Sequence, residues 1–227
     1  MDFKSNDTIP SVTNQLWDVI HIIGATYQYT GKESVKAVKY FFDALEYILP
    51  KEYQENLKSF LKSYPIEKYF NGEKFQSFYW TYLYHDYINK LKHGSMLGNS
   101  KLANKTLTLE QSVKKYSVID KAFWTKPWWG ITHTLANYAN SSCQSTVTLN
   151  RKKYMQLLLS YVVLLPCVKC RTHWNDLLKS EHVILHKILN GEEINVFTWS
   201  VYLHNKVNER LGKSIFPLND ARKQLDF

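Results

Sequence analysis

Three clusters of residues in the first half of this chain return, in the same order, in the second. Trp17-x-x-x-His21 is answered by Trp129-x-x-x-His133, and Leu49-Pro50 by Leu165-Pro166. Phe78-x-Trp80-x-x-x-x-His85-x-x-x-Asn89 is answered by Phe197-x-Trp199-x-x-x-x-His204-x-x-x-Asn208. The offsets are 112, 116 and 119 residues, so the register drifts only by loop lengths. Tryptophan, histidine and asparagine repeating in this order point to an internal duplication, each copy a helical bundle.

Hydrophobic periodicity supplies the helices. Leu16, Val19, Ile20 and Ile23 form one stripe, broken at Gly31. Val35, Val38, Phe42, Leu45 and Ile48 form a second, which stops at Leu49-Pro50. A short helix over residues 52–62 and a long aromatic one over 75–94, closed by Gly94, complete the first copy. Residues 93–106 carry the glycines, asparagines and serines of a linker, and a short helix over 109–116 follows. The second copy predicts helices over 126–142, 154–165, 167–178 and 197–213, with Gly212 as the last C-terminal signal, then a tail to Phe227. The expected class is all-α, with two tandem bundles over residues 1–106 and 107–227.

One feature is not duplicated. Cys167 and Cys170 follow Pro166 at a helix start, whereas Lys51 and Gln54 hold the matching places in the first copy. Proline suits a helix entry, and a spacing of three puts both sulfurs on one face of the first turn. Free backbone N–H groups there, beside Lys169 and Arg171, favour a thiolate; such surroundings pull a cysteine pKa from ~8.5 to roughly 3.5–7.5. A dithiol that cycles to a disulfide needs this equipment. Zinc sites also use Cys-x-x-C but want four ligands. Cys143 stands alone and His173 is the one close histidine, so no metal is expected. A thioredoxin-like motif would follow a strand in a βαβ pattern, which is not visible here. Two inert buried cysteines would be the default for cysteines placed at random, but not for a pair at this spacing at a helix start.

Composition narrows the classes. Of 227 residues 44% are hydrophobic, so the chain folds rather than staying disordered. Three cysteines are too few for a disulfide-stapled secreted scaffold. The first residues, MDFKSNDTIPS, are polar and partly acidic, unlike a signal or transit peptide. The longest nearly apolar run, Leu157 to Leu165, has nine residues and suits a core helix, not a membrane span. The net charge of +9 divides as +3 over residues 1–118 and +6 over 119–227. No dense basic run appears, so a solvated surface is expected rather than a nucleic-acid groove.

The second copy resembles the flavin-dependent sulfhydryl oxidases of the Erv/ALR family. That family's pattern is Trp-x-x-Leu-His-Thr-x-Ala, then Tyr-Pro-Cys-x-x-Cys, then His-Asn-x-Val-Asn-x-x-Leu-Gly-Lys. Here these stand as WGITHTLA (Trp129 to Ala136), LPCVKC (Leu165 to Cys170) and HNKVNERLGK (His204 to Lys213). The resemblance covers about residues 119–215, and its last motif is the most specific. The cysteine-free first copy resembles the two-domain arrangement of baculovirus-type viral sulfhydryl oxidases.

The resemblance implies a four- or five-helix bundle holding FAD beside the Cys-x-x-C, and a flavin-linked thiol oxidase activity. It implies that Trp129 and His133 contact the cofactor from the first helix. His204, Asn205, Val207 and Asn208 would line it from the fourth, and Lys213 would lie near its phosphates. A client thiol would attack Cys167, the outer sulfur. Cys170, nearer the flavin, would pass two electrons to FAD, and dioxygen would take them up as hydrogen peroxide. The implied partners are thiol-containing client proteins, dioxygen and a second copy of the chain in a homodimer. A viral origin would place the enzyme in host cytoplasm or nucleus, or in the virion.

The chain also departs from the family's pattern. Leu165 replaces the tyrosine before Pro166, and Ala139-Asn140 stands where a proline ends the first helix. No shuttle cysteine pair, no cysteine before His204 and no tryptophan after the fourth helix are present. Cys143 reads as a free thiol. In the first copy His21, Trp80, His85 and Asn89 read as relics now serving the core. Two other classes compete: a redox-inactive helical scaffold that binds partners, and a nucleic-acid binder prompted by the charge and sixteen tyrosines. The first would be colourless, and the second would show strongly salt-dependent binding to oligonucleotides.

Overall fold

The computed structural model describes residues 10–93, 109–117, 120–141 and 144–223. Among them are twelve helices and no strand. The first half supplies α1 (Pro10–Thr26), α2 (Lys32–Ile48), α3 (Lys51–Ser63), α4 (Ile66–Tyr69), α5 (Gln76–His93) and α6 (Leu109–Tyr116). The second supplies α7 (Lys121–Ser141), α8 (Gln144–Leu164), α9 (Val168–Ser180), α10 (His182–Leu189), α11 (Val196–Arg210) and α12 (Leu218–Lys223). Cys143 and most of the expected linker lie outside the described residues, as does the expected boundary at 106/107.

The same pairings build each half. α1 packs on α5 as α7 packs on α11, and α2 packs on α3 as α8 packs on α9. The halves then meet through matching helices, α1 against α7 and α2 against α8. Apolar stripes on these four helices explain the arrangement. Val19, Ile20 and Ile23 of α1, Val38, Phe42 and Leu45 of α2, Ile131 and Leu135 of α7, and Leu157 and Leu158 of α8 are all buried in one core. Each such side chain stabilises the fold by about 1.5–3 kcal/mol on burial. The two halves therefore share a hydrophobic core.

Close helix approach depends on a small residue where α1 crosses α5. A Cβ on Gly24 of α1 would lie 2.7 Å from Thr81 Cγ2 and 3.0 Å from the Phe78 Cα of α5. A Cβ on Gly130 of α7 would meet the end of the flexible Gln15 side chain of α1, which would have to move aside.

Several helices differ from their predicted bounds, each for a physical reason. α7 begins at Lys121 and carries Pro127 inside it. The sequence places that proline at a helix entry, but its ring is buried and the helix runs through it, losing one N–H bond. α8 begins at Gln144, ten residues before the predicted start, because α2 supports its polar end. Lys153 there pairs with Asp43 at 3.5 Å and lies over the Tyr47 ring. The short helices α4, α10 and α12 were not expected from periodicity. Among the described residues, no helix is long and apolar enough to cross a membrane.

Candidate active site

α8 ends at Leu164, and Leu165-Pro166 turns the chain into α9. Cys167 is the N-cap of α9, and its Sγ accepts the Cys170 N–H at 3.3 Å. Cys167 and Cys170 form a disulfide with their Cα atoms 5.1 Å apart. On reduction, the Cys167 sulfur would face the free N–H groups and positive dipole end of α9, which favour a thiolate there.

Cys170 forms part of the wall of a cavity of about 420 Å³, within the range of small-molecule sites. Its walls are largely aromatic: Trp124, Trp128 and Trp129 from α7, Tyr161 from α8 and Trp174 from α9. Lys169, Lys206 and Arg210 add positive charge to the lining. The indole N–H groups of Trp124 and Trp128 are buried and find no acceptor among the described residues. A flat ring system bearing carbonyl or imine acceptors and an anionic tail matches this donor set. The residues present therefore fit a flavin dinucleotide. A second cavity, about 390 Å³, is lined by His204, Asn208, Lys213 and Phe216. Trp129, from the first cavity, stacks on His204, from the second, with ring centroids 4.1 Å apart and planes 9° apart.

Behind this stack runs a buried proton chain. The Ser200 hydroxyl donates to the Phe197 carbonyl at 2.7 Å, so Ser200 Oγ accepts from His133 Nδ1–H at 2.9 Å. His133 Nε2 then accepts from His204 Nδ1–H at 3.1 Å. Each neutral imidazole carries one proton, so His204 Nε2 is left as an acceptor. Burial and the neighbouring His204 push the His133 pKa down to about 3. Burial and Lys213 bring His204 to about 4. Both rings are neutral at physiological pH.

The first half repeats the chain without the dithiol. Thr81 donates to the Phe78 carbonyl at 2.7 Å and accepts from His21 Nδ1–H at 3.1 Å. His85 Nδ1–H donates to His21 Nε2 at 2.9 Å, and Trp17 stacks on His85 at 4.1 Å. Here Tyr116 of α6 packs on His21, 5.0 Å between centroids, and bonds to Asp18.

The structure brings together most of the residues singled out in the sequence, divided between two cavities. Trp129, Val207 and Cys170 line the first; His204, Asn208 and Lys213 line the second. His133 lies behind His204 and lines neither. Asn205 is engaged elsewhere: its amide donates to the Phe216 carbonyl at 2.9 Å and accepts the Phe216 N–H at 2.7 Å. Sequence reasoning missed Trp128, Tyr161, Trp174, Ser200, Lys206, Arg210 and Phe216. Trp174 was within reach, since a residue four beyond Cys170 shares its helix face. So were Lys206 and Arg210, which flank Val207 on α11.

The second half of the chain is similar to known proteins. The family model described as the Erv1/Alr family matches residues 126–226. The FAD-linked sulfhydryl oxidase ERV1 of Oryza sativa subsp. japonica is 32% identical over 89 residues, covering 39% of this chain and 42% of the relative. Its Arabidopsis thaliana counterpart is 30% identical over 97 residues, 41% of this chain and 46% of the relative. A probable FAD-linked sulfhydryl oxidase of Acanthamoeba polyphaga mimivirus is 29% identical over 77 residues, 34% of this chain and 52% of the relative. The matches thus span about half or less of the curated relatives' length. No solved structure gives a significant match. Residues 126–226, which carry the Trp129–His204 stack and the disulfide at the start of α9, are thus similar to the Erv1/Alr family.

Proposed function

We propose that this chain is an FAD-dependent thiol oxidase that makes disulfides in client proteins, with Cys167 and Cys170 as its redox pair. One observation carries the proposal: the disulfide at the N-terminus of α9 borders, through Cys170, an aromatic cavity whose two buried indole donors find no acceptor among the described residues. The similarity to proteins named FAD-linked sulfhydryl oxidases supports it.

The protein's part in the chemistry follows from placement. A client thiolate attacks Cys167 Sγ; the S–S bond breaks and its electron pair leaves on Cys170, as a mixed disulfide forms. A second client thiolate attacks the client sulfur of that mixed disulfide, releasing the client disulfide and Cys167 as thiolate, which α9 stabilises. Cys170 holds the reduced sulfur against the aromatic cavity. Trp124, Trp128 and Trp174 exclude water there, and Lys206 and Arg210 offer charge to a diphosphate. His204, kept neutral and oriented through His133, offers Nε2 as an acceptor, and Asn208 and Lys213 add polar contacts beside it. FAD held by these residues would supply a two-electron acceptor there, with dioxygen as the final oxidant and hydrogen peroxide as its product.

We further infer that residues 1–106 are a cysteine-free copy that buttresses an active unit over residues 107–227. α1 and α2 already cover α7 and α8, so a homodimer would use another face. The two-copy resemblance carries with it a host cytoplasmic, nuclear or virion setting. FAD titration into flavin-free protein tests the cofactor assignment. Tryptophan fluorescence should quench to a 1:1 endpoint and Trp129→Ala should weaken binding at least tenfold, about 1.4 kcal/mol. No quenching, or binding indifferent to Trp129, would contradict it.

A further inference from the structure

The duplication supplies an internal control for the turn that carries the dithiol. In the first half the carbonyl of Leu49, in Leu49-Pro50, is capped by the Gln54 side chain: Nε2 donates at 2.6 Å, and also to the Tyr47 carbonyl at 3.0 Å. Gln54 occupies the place of Cys170. A thiol committed to redox chemistry cannot hold that carbonyl. In the second half the matching carbonyl, on Leu165, is capped instead from one position further along: Arg171 Nε–H donates to it at 2.5 Å. The same job has passed to the residue beside the cysteine.

We propose that Arg171 is a positioning residue for the redox pair, gripping the Leu165 carbonyl so that the Leu165-Pro166 turn presents Cys167 as the N-cap of α9. The Arg171 backbone reinforces the turn, its N–H donating to the Cys167 carbonyl at 3.0 Å. The guanidinium is half-buried, burial lowers its pKa, and no carboxylate among the described residues pairs with it. Its hold on the turn sets how well the Cys167 sulfur receives the helix N–H groups once reduced. That in turn sets the balance between dithiol and disulfide.

This inference rests on the redox reading of Cys167 and Cys170, and the test separates the two. The full chain is equilibrated in glutathione buffers of graded ratio, and the fraction of dithiol is trapped with an alkylating reagent. The exchange balances as one protein disulfide plus two glutathiones against one dithiol plus glutathione disulfide, and it needs no flavin. Cys167 thiolate formation is followed by ultraviolet absorbance. In Arg171→Met the cap is lost; the equilibrium should move about tenfold toward the disulfide, roughly 30 mV for a two-electron couple. The thiolate should also form at higher pH. Arg171→Gln, which restores the donor used by Gln54, should recover at least half of the shift on a logarithmic scale. If Arg171→Met leaves both readouts within twofold of the parent, or if Gln behaves as Met does, the assignment is overturned. A parent chain whose cysteines never exchange with glutathione would instead defeat the redox reading itself.

Discussion

His204 donates its Nδ1 proton to Nε2 of His133 across 3.1 Å, and the same bond joins His85 to His21 across 2.9 Å. Each receiving ring is anchored by a buried hydroxyl, Ser200 in one half and Thr81 in the other. A proton added to His133 or His21 would go on the accepting nitrogen and set donor against donor. Both rings are therefore held neutral, with pKa values pushed down to about 3 by burial first and by the partner histidine second.

The sign of the pH dependence follows. The folded pKa lies below the unfolded value of 6.5, so the unfolded chain binds more protons as pH falls. The stabilisation from neutral His21 and His133 is complete above about pH 6.5 and is lost as pH drops toward 3. Each contributes a slope of about 1.4 kcal/mol per pH unit within that window. Thermal midpoints should fall steadily from pH 6.5 to pH 5, and His21→Gln should flatten that fall. A midpoint constant across this range would contradict the assignment.

Gly24 and Thr81 form a second coupled pair. A methyl at position 24 would lie 2.7 Å from Thr81 Cγ2. At the matching positions the second half has Ala136 and Ser200, larger on one side and smaller on the other. Gly24→Ala should cost about 1–3 kcal/mol, as overpacking does. Adding Thr81→Ser should return about 1 kcal/mol, measured as the interaction energy of a double-mutant cycle in urea. Simple additivity would show that the two side chains do not compete for the same space.

Asn205 spends its whole amide on the Phe216 backbone. Asn205→Ala should remove about 2 kcal/mol, roughly 1 kcal/mol for each bond. It should also speed hydrogen exchange at the Phe216 amide. Since Phe216 and Lys213 line the second cavity, FAD affinity should fall as well. Unchanged exchange at Phe216 would mean the bonds do not hold that segment.

Much of this was legible in the sequence because the repeat carries helical spacing. Trp129, His133 and His204 fall in register with Trp17, His21 and His85, and the structure builds the same stack from each set. The dithiol was equally plain, since Lys51 and Gln54 mark what its absence looks like. Legibility failed where a residue's task depends on a distant partner. Asn205 reads like Asn208, its neighbour on α11, yet turns to a backbone eleven residues away. Ser200 carries no signal of its own until Phe197 and His133 are placed around it. The polar start of α8 reads as loop because its support comes from Asp43 and Tyr47 in the other half.

The most direct test of the redox site is oxygen uptake by the FAD-loaded protein with a dithiol substrate, alongside its visible spectrum. The account predicts a yellow protein that consumes oxygen and forms one hydrogen peroxide per disulfide. Cys170→Ser should keep the colour and lose at least about a hundredfold in turnover, the scale of removing a group acting in the reaction itself. A colourless protein that rejects FAD, or a Cys170→Ser variant that still consumes oxygen at the parent rate, would contradict it.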